Sequence, residues 1–585
     1  MLRAWLKEHR GAAAVVLLFA FVIFGQRLLY HDIGIDSETM FTDPEAYMRV
    51  WCSTGRFGLV LTKKLLGFAH AVPFAANFIA VMLLWAAVTL FGFLVYKWSC
   101  GRVDSRLFYP VFSAVFLSAP ILTEQFYFTL QVVEISWAFV CCLFAAWLSA
   151  GLAYGRQPSL KESPKELLVL WCSRGIPVVC LLVWAFGTYQ AFVVVYVVLA
   201  LVSYILSFLF TEGDKRPESW FFAGCRQVIL FLAGLAGWWF VHKLLCHFFF
   251  QELSYTFNMI LWKVNPSACV STIKEEFWQM LTGSIFFYQK LFAPVLVLAL
   301  SLMVWQAKGQ AKGELPCFLL ALLLFGASPM LLTLVTGGGF PMRSRIFYPL
   351  AEAFVFAYAA SFLWQLRTRI IPVCFLILAV FTSWRQAGRS MALQETAHLA
   401  FVGDEKLMNR MAVRMEEVAG QELEHVPVVF VGKLAPDLPE DCLRGEVTGH
   451  SFFDWDAGWY GSGNHRIFGL AALTGLELQT ADDEQKKFAV EYSDSMAPWP
   501  AEDSVQLKNG ILIVKLSSPE KTANRWWYSG GWHYWMNNFS FSLKSDWKEI
   551  DGNWYYFDGD GDMVTGIQEI NGKTYQFDLD GKWID

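Results

Sequence analysis

The stretch Ile33 to Lys64, IGIDSETMFTDPEAYMRVWCSTGRFGLVLTKK, lies between two long apolar runs. It gathers Asp36, Glu38, Asp43, Glu45, Arg49 and Arg56 in a chain that is only 17% charged. A charged segment bracketed in this way is a loop at a membrane surface, and the runs on either side of it are spans. A helical span needs about 20 apolar residues to cross a hydrocarbon core of about 30 Å. Such runs recur over residues 11–29, 71–96, 107–122, 127–152, 176–189, 190–210, 227–250, 285–306, 315–335, 346–366 and 370–384, then stop. The fold expected is a polytopic α-helical membrane protein of about eleven spans.

Composition agrees. The 585 residues are 56% hydrophobic, with 52 Phe and 26 Trp, too apolar for a water-soluble chain of this length. A net charge of −5 gives no footing for nucleic-acid binding. The 12 Cys lie mostly inside apolar runs and form no CxxC pair, so they read as small hydrophobic side chains rather than metal or dithiol sites. Arg3, Lys7 and Arg10 precede the first apolar run, which is taken as the first helix rather than a cleaved signal.

Charge sets an orientation. With the N-terminus in the cytoplasm, Lys97/Arg102/Arg106, Arg156/Lys161/Lys165/Arg174, Lys215/Arg216/Arg226, Lys308/Lys312 and Arg367/Arg369 all fall on the cytoplasmic side. The loop 31–70, the Thr123-Glu124-Gln125 turn, the loop 251–284, Thr336 to Arg345 and everything after residue 384 then lie outside. In the first loop, Val60, Leu61, Leu65, Leu66 and Phe68 have helical spacing beside Lys63 and Lys64, as in an interfacial helix.

Residues 1–384 are therefore expected to form the membrane domain and 385–520 a small extracytoplasmic α/β or α+β domain. Within the latter, Asp404 to Ala419 reads as a charged helix, and Val426 to Gly432 and Gly510 to Leu516 as buried strands. Residues 526–585 carry a repeat. Ile550 to Asp558 aligns with Ile570 to Asp578, and Gly561 with Gly581, at a period of about 20. The DG and NG pairs predict type I′ hairpins whose aromatics need stacked neighbours, giving a small solenoid.

Four places offer chemistry. Asp36 and Glu38, two apart, face the same way in an extended segment and can serve as a general base towards a sugar hydroxyl, or hold a divalent ion that steadies a phosphate. Beyond Gly337-Gly338-Gly339, Arg343 and Arg345 break the charge bias of the outer side, and an arginine fork suits phosphate. Gly187-Thr188-Tyr189-Gln190 places hydrogen-bonding groups at a helix mouth, where they orient a polar ligand or pack helices together. Glu124 and Glu134 lie beside or within spans, where an ionisable group marks a site or an intramembrane ion pair. Asp558 to Asp562 has the look of a calcium loop, but Met563 stands where the turn needs glycine, so no calcium site is expected.

Ile35-Asp-Ser-Glu38, the W-x-x-x-GRFG of Trp51 to Gly58, Gly187 to Gln190 and the P-x-R-x-R-x-x-x-P of Pro341 to Pro349 together resemble the type II O-antigen glucosyltransferase family over roughly residues 15–515. That resemblance implies a GT-C-like glycosyltransferase taking a hexose, glucose first, from a polyprenyl-phosphate donor to a cell-envelope glycan outside the membrane. It also implies an acidic catalytic residue in the first outer loop, Asp36 or Glu38 by position, with Asp43 behind them. Arg56, Arg343 and Arg345 would meet the phosphate, with Glu124, Tyr189 and Gln190 lining the substrate. No Walker or dinucleotide motif occurs, and no cofactor beyond a divalent cation is expected. The tail from Trp526 resembles the cell-wall or choline-binding repeats of Gram-positive surface proteins, which implies a cell-wall partner, either choline held by cation–π attraction in an aromatic cage or glycan held by stacking. Trp547, Trp554, Tyr555, Tyr556 and Tyr575 match, whereas Ile567 stands where the repeat usually carries Trp. The rival class is a transporter or flippase-like protein for lipid-linked sugars, in which the acids and arginines only guide the sugar across.

Overall fold

The computed structural model describes residues 1–30, 32–68, 72–155, 164–213, 216–250, 260–263, 266–309, 312–338, 340–455, 465–518, 525–529, 532–536, 545–550, 552–558, 563–578 and 581–584. Arg156, Lys161, Lys215, Gly339, Asp551, residues 251–259 of the second long loop and residues 559–562 of the Asp-Gly run, with Gly561, lie outside the described residues. The chain divides into two compact units, one of Met1–His31, Pro44–Leu253 and Val270–Glu395, the other of Asp32–Asp43, Ser254–Cys269 and Thr396–Asp585.

The first unit is helical. Among the described residues, eight helices are long and apolar enough to cross a membrane, beginning with Arg10–Leu29 and Pro73–Trp98 and ending with the one that starts at Ile370. The pair Ser105–Leu117 and Pro120–Phe126 makes a ninth candidate if taken as one span, but it bends by 56°. The cause is local: Pro120 has no N–H to continue the first helix, and Ala119 before it is extended, so a new helix starts at the proline. Thr123, Glu124 and Gln125 consequently sit inside a buried half-helix rather than in a surface turn. Phe292–Gln306 and Phe347–Leu363 are apolar but shorter, at 15 and 17 residues.

Aromatic packing fills this unit. Phe108, Phe112 and Phe116 stack one turn apart along one helix face, and Phe91 meets Phe112 at 4.5 Å. The amphipathic segment of the first loop is a helix, Phe57–Leu66, with Val60 buried and Leu61, Leu65 and Leu66 exposed. It crosses the Ile176–Thr188 helix at close range. A Cβ on Gly58 would lie 2.8 Å from the Gly187 carbonyl carbon, and one on Gly187 would lie 2.8 Å from the Phe57 ring. Two of the sequence motifs are thus two sides of one helix crossing.

The second unit holds a four-stranded sheet of order β2-β1-β4-β3, made from β1 (Pro427–Val431), β2 (Gln479–Thr480), β3 (Val505–Lys508) and β4 (Ile511–Lys515). β1 runs parallel to β2 and β4, and β3 pairs antiparallel with β4. The parallel pair β1 and β4 is apolar along almost its full length, as a strand covered on both faces must be. The Asp483–Ser493 helix packs Ala489 and Val490 against it and starts in a capping box of Asp482 and Gln485. The charged Asp404–Ala419 segment is the end of a continuous 50-residue helix, Ile370–Ala419.

Among the described residues, the tail forms three antiparallel hairpins: β5 (Arg525–Ser529) with β6 (Trp532–Met536), β7 (Asp546–Ile550) with β8 (Asn553–Phe557), and β9 (Gly566–Ile570) with β10 (Lys573–Phe577). Asn571 and Gly572 both have positive φ, 53° and 76°, as a type I′ turn requires. The period reaches beyond the hairpins, because Phe557 bridges to Met563 as Phe577 bridges to Trp583.

Candidate functional site

The acidic loop folds into a turn, not an extended strand. Asp36 adopts a left-handed conformation, φ 73°, which its short side chain tolerates better than most, and Glu38 precedes the one-turn helix Thr39–Thr42. Alternation along a strand therefore does not bring the two carboxylates together. Arg466 does, from the His465–Leu473 helix of the same unit. Its Nη1 donates to Asp36 Oδ1 and stands 3.5 Å from Glu38 Oε1.

The two acids differ in environment. Asp36 is 31% exposed and Glu38 only 2%, and neither Glu38 oxygen accepts a hydrogen bond among the described residues. Burial pushes the Glu38 carboxyl up to about 7; the Arg466 charge opposes this and Asp36 adds to it. A carboxyl that titrates near neutrality suits proton exchange with a hydroxyl. Gly469, one turn beyond Arg466, faces the same side chain, and a Cβ there would collide with Glu38 Cγ. Among the described residues no group of three or more His, Cys, Asp or Glu side chains is gathered in one place. The carboxylate pair meets a guanidinium instead.

The basic and polar candidates belong to the first unit. Arg345 is buried and bonded to Glu276 and Tyr288, and Thr333 also donates to Glu276. Burial opposes the Arg345 charge, but Tyr288 and Glu276 outweigh it, so the guanidinium stays charged and is already committed. Arg343 instead lies over the Phe128 ring at 5.1 Å, and Arg56 over the Tyr189 ring at 5.2 Å. Tyr189 and Ser344 share a hydrogen bond of 2.6 Å, tying the Gly187–Gln190 motif to the arginine turn Met342–Ser344. Gln190 donates through its side-chain amide to the Thr54 carbonyl at 3.1 Å, joining two turns. The half-helix carrying Glu124 packs on the same arginine turn, and its Gln125 amide is buried with no hydrogen-bond partner among the described residues. Arg56, Tyr189, Ser344 and Arg343 thus form a chain of neighbours beside that half-helix. Glu134 pairs with Lys63 at 3.0 Å, both buried, and Lys63 also donates to the Leu130 carbonyl at 2.7 Å.

In the tail, Trp547 lies 4.9 Å from Tyr575 and 5.8 Å from Trp583, and Tyr575 lies 6.0 Å from Trp583, all steeply inclined. Tyr556 flanks Trp547 at 5.3 Å across the hairpin. Three rings at such distances and angles pack edge to face in one aromatic cluster. Tyr555 is not among them: it packs with Ile550, Phe557 and Met563 in the hairpin core. Trp554 is 42% exposed, and its carbonyl accepts from the Trp583 amide. Ile567, at the usual Trp position, is 72% exposed, and Trp583 provides the third ring of the cluster.

Arg466, Gly469, Glu276, Lys63 as the partner of Glu134, and Trp583 were not reached from the sequence. For Trp583 a signal was present, since it falls one period after Met563. For the others the partners are far apart in the chain, 430 residues in the case of Arg466 and Asp36.

The sequence model of a choline-binding repeat matches residues 543–582. No curated protein matches the chain. Among solved structures it is similar to the crystal structure of the modular Cpl-1 endolysin complexed with a peptidoglycan analogue, at 20% identity over 20% of this chain and 51% of that one, TM-score 0.09. It is also similar to the multimodular pneumococcal cell wall endolysin from phage Cp-1 complexed with choline, at 16% identity over the same shares, TM-score 0.09. The chain thus spans about half the length of those solved proteins. The family described as glucosyl transferase GtrII matches residues 27–380, from the end of the first apolar helix into the last. A match of that extent makes the chain a member of the glucosyl transferase GtrII family.

Proposed function

We propose that this chain is a membrane glycosyltransferase that moves a hexose, glucose first, from a polyprenyl-phosphate carrier to a cell-envelope glycan on the outer face of a Gram-positive cell membrane. The observation that carries the proposal is the family match over residues 27–380 joined to a first-loop carboxyl, Glu38, that is buried and poised near neutrality. In the reaction the sugar C1–O(phosphate) bond breaks, its electron pair leaves with the phosphate, and the acceptor oxygen bonds to C1. The acceptor's proton passes to a carboxylate of the Asp36–Glu38 pair. Arg343 and Arg56 are the basic groups assigned to the phosphate, whereas Arg345 holds the second loop through Glu276. The hairpin tail is assigned to cell-wall choline through the Trp547, Tyr575 and Trp583 rings.

The test is reconstitution of the full chain in lipid nanodiscs with synthetic polyprenyl-phosphate glucose and isolated envelope glycan. Release of polyprenyl phosphate matched by labelled glucose in the glycan is expected. Donor binding without transfer to any of several glycans, or vectorial movement of intact donor in vesicles, would reject the enzyme.

A further inference from the structure

We infer that Arg466 is the positioning residue of the transferase centre: it ties down Asp36 and leaves Glu38 to take the acceptor's proton. The inference rests on the proposed glycosyltransferase reading and goes beyond it, because it chooses between two acids that position in the chain leaves equal. It also places a working residue outside residues 27–380, the part matched by the family.

Asymmetry is the first argument. An arginine recruited only for stability should bond the more deeply buried acid, since that is where an uncompensated charge costs most. Arg466 does the reverse, bonding the partly exposed Asp36 and leaving the almost fully buried Glu38 at 3.5 Å. Both Glu38 oxygens are enclosed and accept no hydrogen bond among the described residues. With Arg466 held at 3.5 Å, no side chain among the described residues closes a hydrogen bond to this carboxyl, and an incoming hydroxyl would supply that donor.

Fit is the second. Arg466 and Gly469 lie three apart on the His465–Leu473 helix, so they face the same side. Gly469 gives the clearance that Glu38 Cγ occupies, and a Cβ there would force the Glu38 side chain to shift. On the loop side, the left-handed turn at Asp36 lets two acids two apart in sequence reach one guanidinium. Both partners are shaped for this contact.

Arg466 and Asp36 are the charges that act on Glu38, and they act in opposite directions. This gives a test that lost folding cannot imitate. The full chain in nanodiscs is assayed for glucose transfer from pH 5.5 to 9 as wild type, Arg466→Gln, Arg466→Lys and Asp36→Asn. Wild type should rise through an acid limb near 7, the Glu38 value. Removing the positive charge in Arg466→Gln should move the limb up by about one pH unit, so that activity falls about fivefold at pH 7 and recovers above pH 8.5. Arg466→Lys keeps the charge and should return the limb to the wild-type position. Asp36→Asn removes a negative charge and frees Arg466 towards Glu38, so its limb should move down. If Arg466→Gln fails to accumulate in the membrane, the downward shift in Asp36→Asn carries the test, and an unmoved or raised limb there overturns the inference. Uniform loss of activity at every pH in Arg466→Gln overturns it as well, by making Arg466 merely structural. Wild-type transfer with unmoved limbs defeats this inference alone; a wild type that binds donor and transfers nothing defeats the glycosyltransferase reading and this inference with it.

Discussion

Gly58 and Gly187 face each other across a helix crossing so tight that a Cβ on Gly58 would lie 2.8 Å from the Gly187 carbonyl carbon. These are the glycines of the two most legible motifs in the chain, and their place here is steric. Gly58→Ala must push apart two backbones, not a flexible side chain, and is expected to cost about 1–3 kcal/mol. Thermal unfolding in detergent should fall by several degrees, with donor affinity following only as the folded fraction does.

Glu38→Gln should separate activity from stability. The folded-state value of about 7 lies above the ordinary 4.5, so between those values the folded chain holds a proton that the unfolded chain releases. Stability is therefore fully present below about 4.5 and is lost as the pH rises to about 7. Glutamine has no charge to bury, and at pH 7.5 the variant should be more stable than wild type by about 2–3 kcal/mol while losing at least a hundredfold in transfer. Calorimetric or fluorescence melts of both proteins at pH 5 and 7.5 read the difference directly; a gain at pH 5 as large as at 7.5 would contradict it.

The Lys63–Glu134 pair predicts non-additivity. Both side chains are buried, at 4% and 1% exposure, so removing either leaves a charge without its partner. Lys63→Met and Glu134→Leu should each cost about 3–5 kcal/mol, and the double variant should recover most of that. Folded yield after extraction is the measure.

The two arginines of the late loop should behave differently despite their spacing. Arg345→Gln breaks a buried ion pair with Glu276 and should lower folded yield. Arg343→Gln loses a cation that lies over Phe128 and should raise the KM for the polyprenyl-phosphate donor about tenfold. Donor titrations at equal membrane abundance distinguish them.

For the tail, Trp547→Ala and Trp583→Ala should each abolish retention of the full chain on a choline resin, because each removes one wall of the ring cluster. Ile567→Ala, at a position 72% exposed, should be retained as wild type is.

Apolar runs, the charged first loop, β1, β4 and the 20-residue hairpin period could be read from the sequence because each is a local signal, carried by residues close in the chain. The bend at Pro120 was hidden, since a single proline inside an apolar run reads equally as a kinked span or as two helices. Asp36 and Glu38 were visible as a pair, yet the reason they meet is a left-handed turn and an arginine 430 residues later, and no spacing rule reports either. Arg345 stood out as a cation with no evident anion; its partner Glu276 comes from the Pro266–Thr282 helix, beyond the reach of local periodicity.

The most direct test of the account is single-turnover transfer of labelled glucose from synthetic polyprenyl-phosphate glucose, by wild type, Glu38→Gln and Asp36→Asn at equal membrane abundance. Glu38→Gln is expected to bind donor normally and transfer nothing measurable, while Asp36→Asn retains transfer with its acid limb moved to lower pH. Transfer by Glu38→Gln at a rate near wild type, or its loss in Asp36→Asn alone, would contradict the assignment of Glu38 as the base.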